Sequence, residues 1–189
     1  VRYDPLETTR TASEIAALVA SNIIAYESNN LDRFDGRFRY SQFLKSIDNS
    51  DVSIMTSSAV IRAAKRFVVS TTNKTSYTVR YNMAIYHPFA GNAFAVSSSA
   101  FTYKGLTSYF DDDGYGNLRI YHIDSTGARA YAETNIGTVD YVNGIVQINA
   151  FLPSGTQLGN SEIELIVSAD DQNIEPIRNQ ILQIGRAHV

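Results

Sequence analysis

The chain contains no cysteine among its 189 residues. This absence excludes disulfides, thiolate catalysis and cysteine-based zinc sites, and it is compatible with a reducing cytoplasm. Long apolar runs are also missing, since the longest cover only a few residues and a membrane-spanning helix needs about 20. No basic segment followed by an apolar one opens the sequence. We therefore expect neither membrane insertion nor signal-directed secretion.

Positive charge is sparse and scattered along the sequence. Lysine and arginine number 16 against 19 aspartates and glutamates, which gives a formal net charge of -3. Nucleic-acid-binding domains concentrate basic residues on one face, so we expect no nucleic acid as a direct partner. With 44% hydrophobic residues, the chain has enough apolar material for the core of one or two domains.

Motifs for cofactors and metals are equally scarce. The glycine-rich motifs that bind phosphate groups are absent. The short pattern Gly114-Tyr115-Gly116 is too common to indicate a nucleotide-binding site. His188 belongs to the C-terminal segment that we attribute below to translated adapter sequence. The remaining histidines, His87 and His122, are too few for a histidine-rich metal site. We expect no cofactor, no metal and no small-molecule substrate.

Both ends of the sequence suggest a fragment of a longer protein. Val1 is not an initiator residue, and Arg2–Pro5 is typical of the end of a strand already under way. One reading frame of a widely used short-read sequencing adapter encodes Ile184–Val189, so we predict that residues 184–189 are translated adapter. The alternative is a genuine helix end capped at Gly185.

Two helices are predicted in the first third of the chain. Thr11-Ala12-Ser13-Glu14 is a capping box, which predicts a helix that begins there. Its apolar stripe consists of Ile15, Leu18, Val19, Ile23 and Tyr26. A shorter helix is expected over Ser41–Ile47, with Phe43, Leu44 and Ile47 on one face.

Strands follow these helices. Ala59–Val69 and Tyr77–Tyr86 alternate apolar and polar residues, and the turn-forming residues 71–74 between them predict a hairpin that covers the helices. After His87-Pro88 short β-rich runs punctuated by glycine take over. The candidate strands are Ala95–Tyr103, Leu118–Ile123, Ala128–Glu133, Thr138–Tyr141, Ile145–Phe151 and Glu162–Val167.

The expected fold class is therefore α+β. An N-terminal unit of two helices and antiparallel strands in residues 1–90 precedes a mostly β domain in residues 91–183. Asn143-Gly144 predicts a two-residue hairpin turn between two strands of the second domain. Helical spacing of isoleucines recurs from Ile174 to Leu182, although Pro176 weakens that pattern.

The acidic run Asp111-Asp112-Asp113-Gly114 is the densest cluster of possible metal ligands. Clustered carboxylates before a glycine resemble a calcium loop, but Tyr109 and Ile120 stand where an EF-hand requires acidic ligands. We favour a solvated turn, in which aspartate and glycine supply the tight backbone.

Catalysis has only one candidate pair. His122 and Asp124 lie two residues apart, so on a strand they share a face, and a carboxylate there could orient an imidazole. The serines Ser97–Ser99 lack the glycine-flanked elbow of a serine nucleophile. We therefore expect no catalytic residues and no enzyme.

Tyrosines are numerous, and the small β domain cannot bury them all. Some are expected at contact surfaces, where tyrosine is enriched. The tyrosines in question are Tyr77, Tyr81, Tyr103, Tyr109, Tyr115, Tyr121, Tyr131 and Tyr141.

The order of several phrases resembles the large baseplate wedge subunit of T4-like contractile-tailed bacteriophages and their cyanophage relatives, which are related to the baseplate J-like proteins. The more specific phrases are Asn30–Ser41 and Ile47–Ile54. The later ones are Asp112–Gly116, Ile136–Tyr141 with Asn143-Gly144, Asn173-Ile174 and Arg178–Leu182.

The resemblance implies a structural subunit of the tail baseplate, assembled in the host cytoplasm and located in the virion. It implies self-association and contacts with other wedge proteins in an inner ring, and no catalytic residues to carry over. Two alternatives remain. One is a tail-associated glycan-binding or adhesin module that would use exposed aromatics and calcium at Asp111–Asp113, and the other is a tail-borne hydrolase at His122 and Asp124.

Overall fold

The computed structural model describes residues 1–33, 36–172, 174 and 184. The chain divides into two compact units, Val1–Val60 with Gln172–Val189, and Ile61–Asp171. No helix among the described residues is long and apolar enough to cross a membrane.

The first unit contains the two predicted helices. Helix α1 spans Ala12–Asn30 and begins at the predicted capping box, in which the backbone N–H of Thr11 donates to Glu14 Oε2 at 2.7 Å. Helix α2 spans Tyr40–Asp48. The predicted stripe of α1 is confirmed, because Ile15, Val19, Ile23 and Tyr26 are its buried residues.

An aromatic cluster links these helices. The rings of Tyr26, Phe38 and Phe43 lie 5.2 to 6.0 Å apart between centroids. A small antiparallel sheet completes the unit, formed by β1 (Arg2–Tyr3) and β2 (Ile54–Thr56). This unit therefore has its own apolar core.

The second unit is an antiparallel sheet of ten strands. Its central path runs β3-β12-β5-β7-β8-β9-β10-β4, with β6 paired to β7 and β11 paired to β6. The strands are β3 (Arg62–Val68), β4 (Thr75–Arg80), β5 (Val96–Ser98), β6 (Phe101–Tyr103), β7 (Leu106–Asp112), β8 (Asn117–Ile123), β9 (Arg129–Asp140), β10 (Ile145–Phe151), β11 (Gly155–Thr156) and β12 (Glu162–Ser168). The fold class α+β is thereby confirmed.

The predicted hairpin between β3 and β4 is wrong. β3 pairs with β12 and β4 pairs with β10, so these two strands stand at opposite ends of the sheet path. Alternation marks a strand but does not identify its neighbour, and β12 supplies a matching alternating partner. The sheet curves so that its end strands touch through side chains. The Nζ of Lys65 donates to the carbonyl of Arg80 at 2.6 Å, and the rings of Phe67 and Tyr77 lie 5.4 Å apart.

The core lies on the concave side of this curved sheet. Its fully buried side chains come from distant parts of the sequence, because strands from both ends of the unit contribute. They include Val96, Phe101, Phe110, Leu118, Ile120, Val146, Ile148, Phe151, Ile163 and Leu165.

The hairpin between β9 and β10 is confirmed, but its loop is longer than predicted. Asp140 pairs with Ile145, so four residues connect the strands instead of two. Gly144 adopts a φ of +62°, and a Cβ atom there would lie 1.9 Å from the carbonyl oxygen of Met83. The close approach of the Met83 backbone therefore requires glycine at position 144.

The boundary between the units differs from the expected domain boundary near residue 90. β3 and β4 belong to the large sheet, and His87-Pro88 lies in the connection between β4 and β5 inside the second unit. The expected helix from Ile174 to Leu182 and the suspected adapter residues fall, apart from Ile174 and Ile184, outside the described residues.

Candidate functional site

The acidic run does not form a solvated turn as predicted. Asp111 and Asp112 end strand β7 and are 1% and 0% exposed, respectively. Only Asp113 belongs to the turn, which reverses the chain into β8. Two carboxylates buried side by side require specific partners, because an unpaired buried charge is strongly unfavourable.

Asp111 is held by two arginines on the neighbouring strands. Its Oδ1 accepts a hydrogen bond from Arg119 Nε at 2.9 Å, and its Oδ2 accepts one from Arg129 Nη1 at 2.7 Å. Tyr131 OH donates to the same Oδ2 at 3.4 Å. Burial raises the pKa of Asp111, and the two guanidinium groups offset part of that rise.

Aromatic rings fix both guanidinium groups in place. The Arg129 guanidinium lies 4.2 Å from the ring centroid of Phe94 and 4.4 Å from that of Tyr121. Arg119 lies 4.3 Å from the ring of Tyr131. Cation–π contacts of this kind hold the flat guanidinium groups in defined orientations. We call Asp111, Arg119, Arg129 and their aromatic neighbours the arginine cluster.

Asp112 points away from the arginine cluster and accepts hydrogen bonds from backbone N–H groups and from a tyrosine. Its Oδ1 accepts from the Val96 N–H at 2.8 Å, and its Oδ2 accepts from the Gly114 N–H at 3.2 Å and from Tyr141 OH at 2.8 Å. Burial and the bond to Asp112 raise the pKa of Tyr141. The Tyr141 ring stacks on His87 at 3.8 Å between centroids, so this group ties three loops together.

Asp113 closes the turn between β7 and β8. Its Oδ1 accepts from the N–H groups of Tyr115 and Asn117, and its Oδ2 accepts from Asn117 Nδ2 at 2.6 Å. Burial alone would raise the pKa of Asp113, but these hydrogen bonds outweigh it and lower the pKa. The oxygens of all three aspartates thus face N–H and O–H donors, which is the opposite of the environment that calcium needs.

Metal ligands are not otherwise grouped in the part of the chain that the structure describes. No set of three or more histidines, aspartates and glutamates lies close enough to hold a metal ion there. His87 is engaged instead with the backbone, since its Nε2 lies 2.9 Å from the carbonyl oxygen of Gly114.

His122 and Asp124 do not form a catalytic pair through a described hydrogen bond. Asp124 lies beyond the end of β8, and its Oδ1 accepts from Thr126 Oγ1 at 2.6 Å and from the N–H groups of Thr126 and Ala128. These bonds lower its pKa. His122 Nδ1 is buried without a described partner. Asp124 therefore shapes a turn and does not orient the imidazole.

Exposed apolar side chains mark the surface of the first unit. Leu6 and Val52 are each 91% exposed and flank an open cavity of about 520 Å³. Beneath them Arg10 Nη1 forms an ion pair with Asp51 Oδ2, and the same aspartate accepts from Ser53 Oγ at 2.6 Å. These bonds fix the position of Asp51, which directly precedes Val52.

Tyrosines divide between core and surface. Tyr81 is buried and its hydroxyl donates to the carbonyl of Leu165 at 2.6 Å, whereas Tyr115 is 75% exposed. The prediction that not all tyrosines are buried is confirmed. Their contact with partner proteins stays a prediction.

Arg119 and Arg129 were not singled out from the sequence, and Tyr141 was named only among the tyrosines that could lie at contact surfaces and in a family phrase. They lie 8, 18 and 29 residues from the aspartates that they contact. The available signal was an acidic run followed by arginines on later strands, but without the strand register it does not specify which residues meet.

Comparison with known protein families found a match to the first part of the chain. Residues 1–66 match the family model described as "Baseplate structural protein gp6, C-terminal domain III". The matched segment covers Val1–Val60 of the first unit and the beginning of β3. The match supports a structural role in a bacteriophage baseplate, and it covers 66 of the 189 residues. No curated protein matches the chain.

Proposed function

We propose that this chain is part of a wedge subunit of a contractile phage tail, and that it contributes to the inner ring of the baseplate. In this role it associates with copies of itself and with other wedge proteins. The observation that carries the proposal is the family match over residues 1–66, which includes the Val1–Val60 part of a compact unit that has its own core. The resemblance of the phrases Asn30–Ser41 and Ile47–Ile54 points to the same subunit.

The surface of the first unit supports an assembly role. Stable interfaces have apolar centres and bury more than about 1,000 Å² in total. Leu6 and Val52 project almost completely into solvent, and Met55 is also exposed on the strand that follows Val52. Burial of these side chains against a neighbouring subunit removes apolar surface from water.

The described side chains also support binding by shape instead of chemistry. Asp124 is committed to a turn, and the three aspartates of the acidic run are committed to arginines, tyrosine and backbone donors. We therefore propose a non-enzymatic function. The two-domain division, with an N-terminal α+β domain of the baseplate type and a β domain that follows it, is part of this proposal.

Self-association is tested by light scattering on the purified chain over a range of concentrations. We expect a concentration-dependent oligomer, and a variant that combines Leu6→Ser with Val52→Ser should dissociate at a concentration at least about a hundredfold higher, since each lost aliphatic contact is worth about 1.5–3 kcal/mol. Ile24→Ser is the matched control, because Ile24 is exposed but lies on α1. A parent chain that stays monomeric at every concentration contradicts self-association of this segment.

Location is tested by antibody labelling of phage particles whose genome encodes the chain. Antibodies raised against the purified chain should bind at the end of the tail in electron micrographs. Label on the capsid, or on host cells without particles, contradicts a baseplate role.

A further inference from the structure

A cavity of about 200 Å³ opens on the outer face of the large sheet beside the arginine cluster. Its lining includes Arg62, Ser97, Asp111, Tyr121 and Arg129. The strand register explains this grouping, because paired residues project to the same side of a sheet. Ser97 pairs with Asp111, and their buried sequence neighbours Val96 and Phe110 also contribute to the lining.

Positive charge exceeds negative charge around this cavity. Asp111 is the one acidic residue among its described lining residues, and it already shares its two oxygens between Arg119 and Arg129. Arg62 is the second arginine of the cavity lining beside Arg129, and the described structure shows no acidic partner for it. The lining thus holds two arginines and one carboxylate, so the cavity favours an anion.

Arg129 is oriented in advance for a ligand. Asp111 holds Nη1, and the rings of Phe94 and Tyr121 contact the guanidinium group. A guanidinium carries five N–H donors, so further donors remain after the bond to Asp111, and the Arg129 side chain is 37% exposed. A donor group already fixed in place loses less conformational freedom on binding.

The backbone conformation of Phe94 is a second observation that favours a ligand site at this cavity. It adopts a φ of +68° and remains 55% exposed while its ring contacts the Arg129 guanidinium. The left-handed region is unfavourable for a bulky side chain, and such residues concentrate at ligand sites. Phe94 thus forms a strained aromatic wall at the rim of the cavity.

We propose that this cavity binds a carboxylate of an acidic segment on a neighbouring protein chain. Its volume is smaller than that of sites for cofactors or drug-sized molecules, which begin at about 300 Å³, but it suits the end of one side chain. Arginine forks match the two oxygens of a carboxylate. The choice of a protein ligand rests on the proposed assembly function, and a chain with a net charge of -3 can itself supply such acidic residues.

The test uses two short peptides and the isotope-labelled full chain. One peptide alternates glycine with glutamate, and the other has glutamine in place of each glutamate. Amide and arginine side-chain signals are followed by NMR during titration. We expect the glutamate peptide to shift signals of Ser97, Tyr121 and Arg129, and the glutamine peptide to leave them unchanged.

Arg62→Gln is the informative variant, because Arg62 does not hold buried Asp111 and its loss leaves the arginine cluster intact. It should weaken binding of the glutamate peptide at least about fivefold, as expected for one charged hydrogen bond. Arg66→Gln is the control, since Arg66 lies on the same face of β3 but pairs with Glu164 outside the cavity. Binding to this control should stay within about twofold of the parent chain.

Three results overturn the proposal. They are equal binding of the two peptides, equal weakening by both arginine variants, and saturation of the cavity by inorganic phosphate with no binding of the glutamate peptide. The titration does not depend on oligomeric state. Binding of the peptide to a monomeric chain would support the cavity while contradicting self-association, so the two proposals fail separately.

Discussion

Two aspartates of this protein are buried at strand positions where apolar side chains are usual. Asp111 and Asp112 sit next to each other on β7 and face opposite sides of the sheet, so each meets its own set of donors. Neighbouring charges of one sign are tolerated here because arginine neutralises the first and backbone N–H groups with Tyr141 satisfy the second. Hydrophobicity alone therefore misjudges these positions.

Asp111→Asn should lower the free energy of unfolding by about 2–3 kcal/mol. The substitution leaves two guanidinium groups without their carboxylate, and the partial exposure of Arg129 keeps the cost below that of a fully buried pair. Urea denaturation followed by circular dichroism measures the change. Asp170→Asn, at an exposed position of the same unit, should change stability by less than about 0.5 kcal/mol. Equal effects of the two variants would show that the arginine cluster contributes nothing to stability.

Asp51 should make the stability of the first unit depend on pH. Hydrogen bonds from Ser53 and the ion pair with Arg10 lower its pKa in the folded state. A lowered pKa contributes stability above the ordinary aspartate value of about 3.9, and this contribution is lost as the pH falls through the folded-state pKa. Asp51→Asn should therefore lower the melting temperature at pH 7, and the difference from the parent chain should shrink toward pH 3. Asp48→Asn, at an exposed position on α2, should show no such trend. A difference that stays constant with pH would contradict this account.

Elements with local signals were predictable, and elements defined by distant partners were not. The Thr11–Glu14 capping box located α1 because both of its hydrogen bonds lie within four residues. Strand β7 was missed because its buried positions include Ser108, Asp111 and Asp112, whose burial depends on partners elsewhere in the sheet. For the same reason the acidic run was recognised as notable, but its environment was predicted incorrectly.

The β9–β10 loop offers a test of steric demand at the element scale. Gly144→Ala should destabilise the protein by about 2–4 kcal/mol, because a positive φ is unfavourable for alanine and the new methyl group collides with the Met83 carbonyl. Gly127→Ala has a similar φ of +84° but no atom within 4 Å of the added Cβ, so it should cost only about 1 kcal/mol. Chemical denaturation of both variants separates the two contributions. Equal losses would contradict close contact at Gly144.

The molecule combines a small helical unit with a large sheet in which the spatial order of the strands differs from their order in the sequence. β12 lies between β3 and β5, so the last described strand of the chain sits in the interior of the sheet path. Its residues Ile163, Leu165 and Val167 are almost completely buried. The second unit is therefore complete only when this strand is in place.

A chain ending at Leu158 should fail to form the large sheet. Removal of β12 exposes its apolar contacts and leaves β3 and β5 without a shared neighbour. Near-ultraviolet circular dichroism should lose the signal of ordered tyrosines, and urea unfolding should lose its cooperative transition. A chain ending at Asp171 is the control, because it retains all ten strands of the sheet. Cooperative unfolding of the shorter chain would contradict a structural requirement for β12.

The pairing of β3 with β12 has a consequence for synthesis on the ribosome. Arg66 and Glu164 form their ion pair across 98 residues, so β3 emerges from the ribosome long before its neighbour has been translated. Contacts this far apart in sequence form slowly, and unpaired strands are prone to aggregation in the meantime. Helices α1 and α2 lie close together in sequence, so their contact has no such delay, whereas the pairing of Phe38 with Ile174 in the same unit forms only after Ile174 has been translated. The nascent chain thus passes through a period in which folded helices precede an open sheet edge, and the rate of translation through the last strands sets the length of that period.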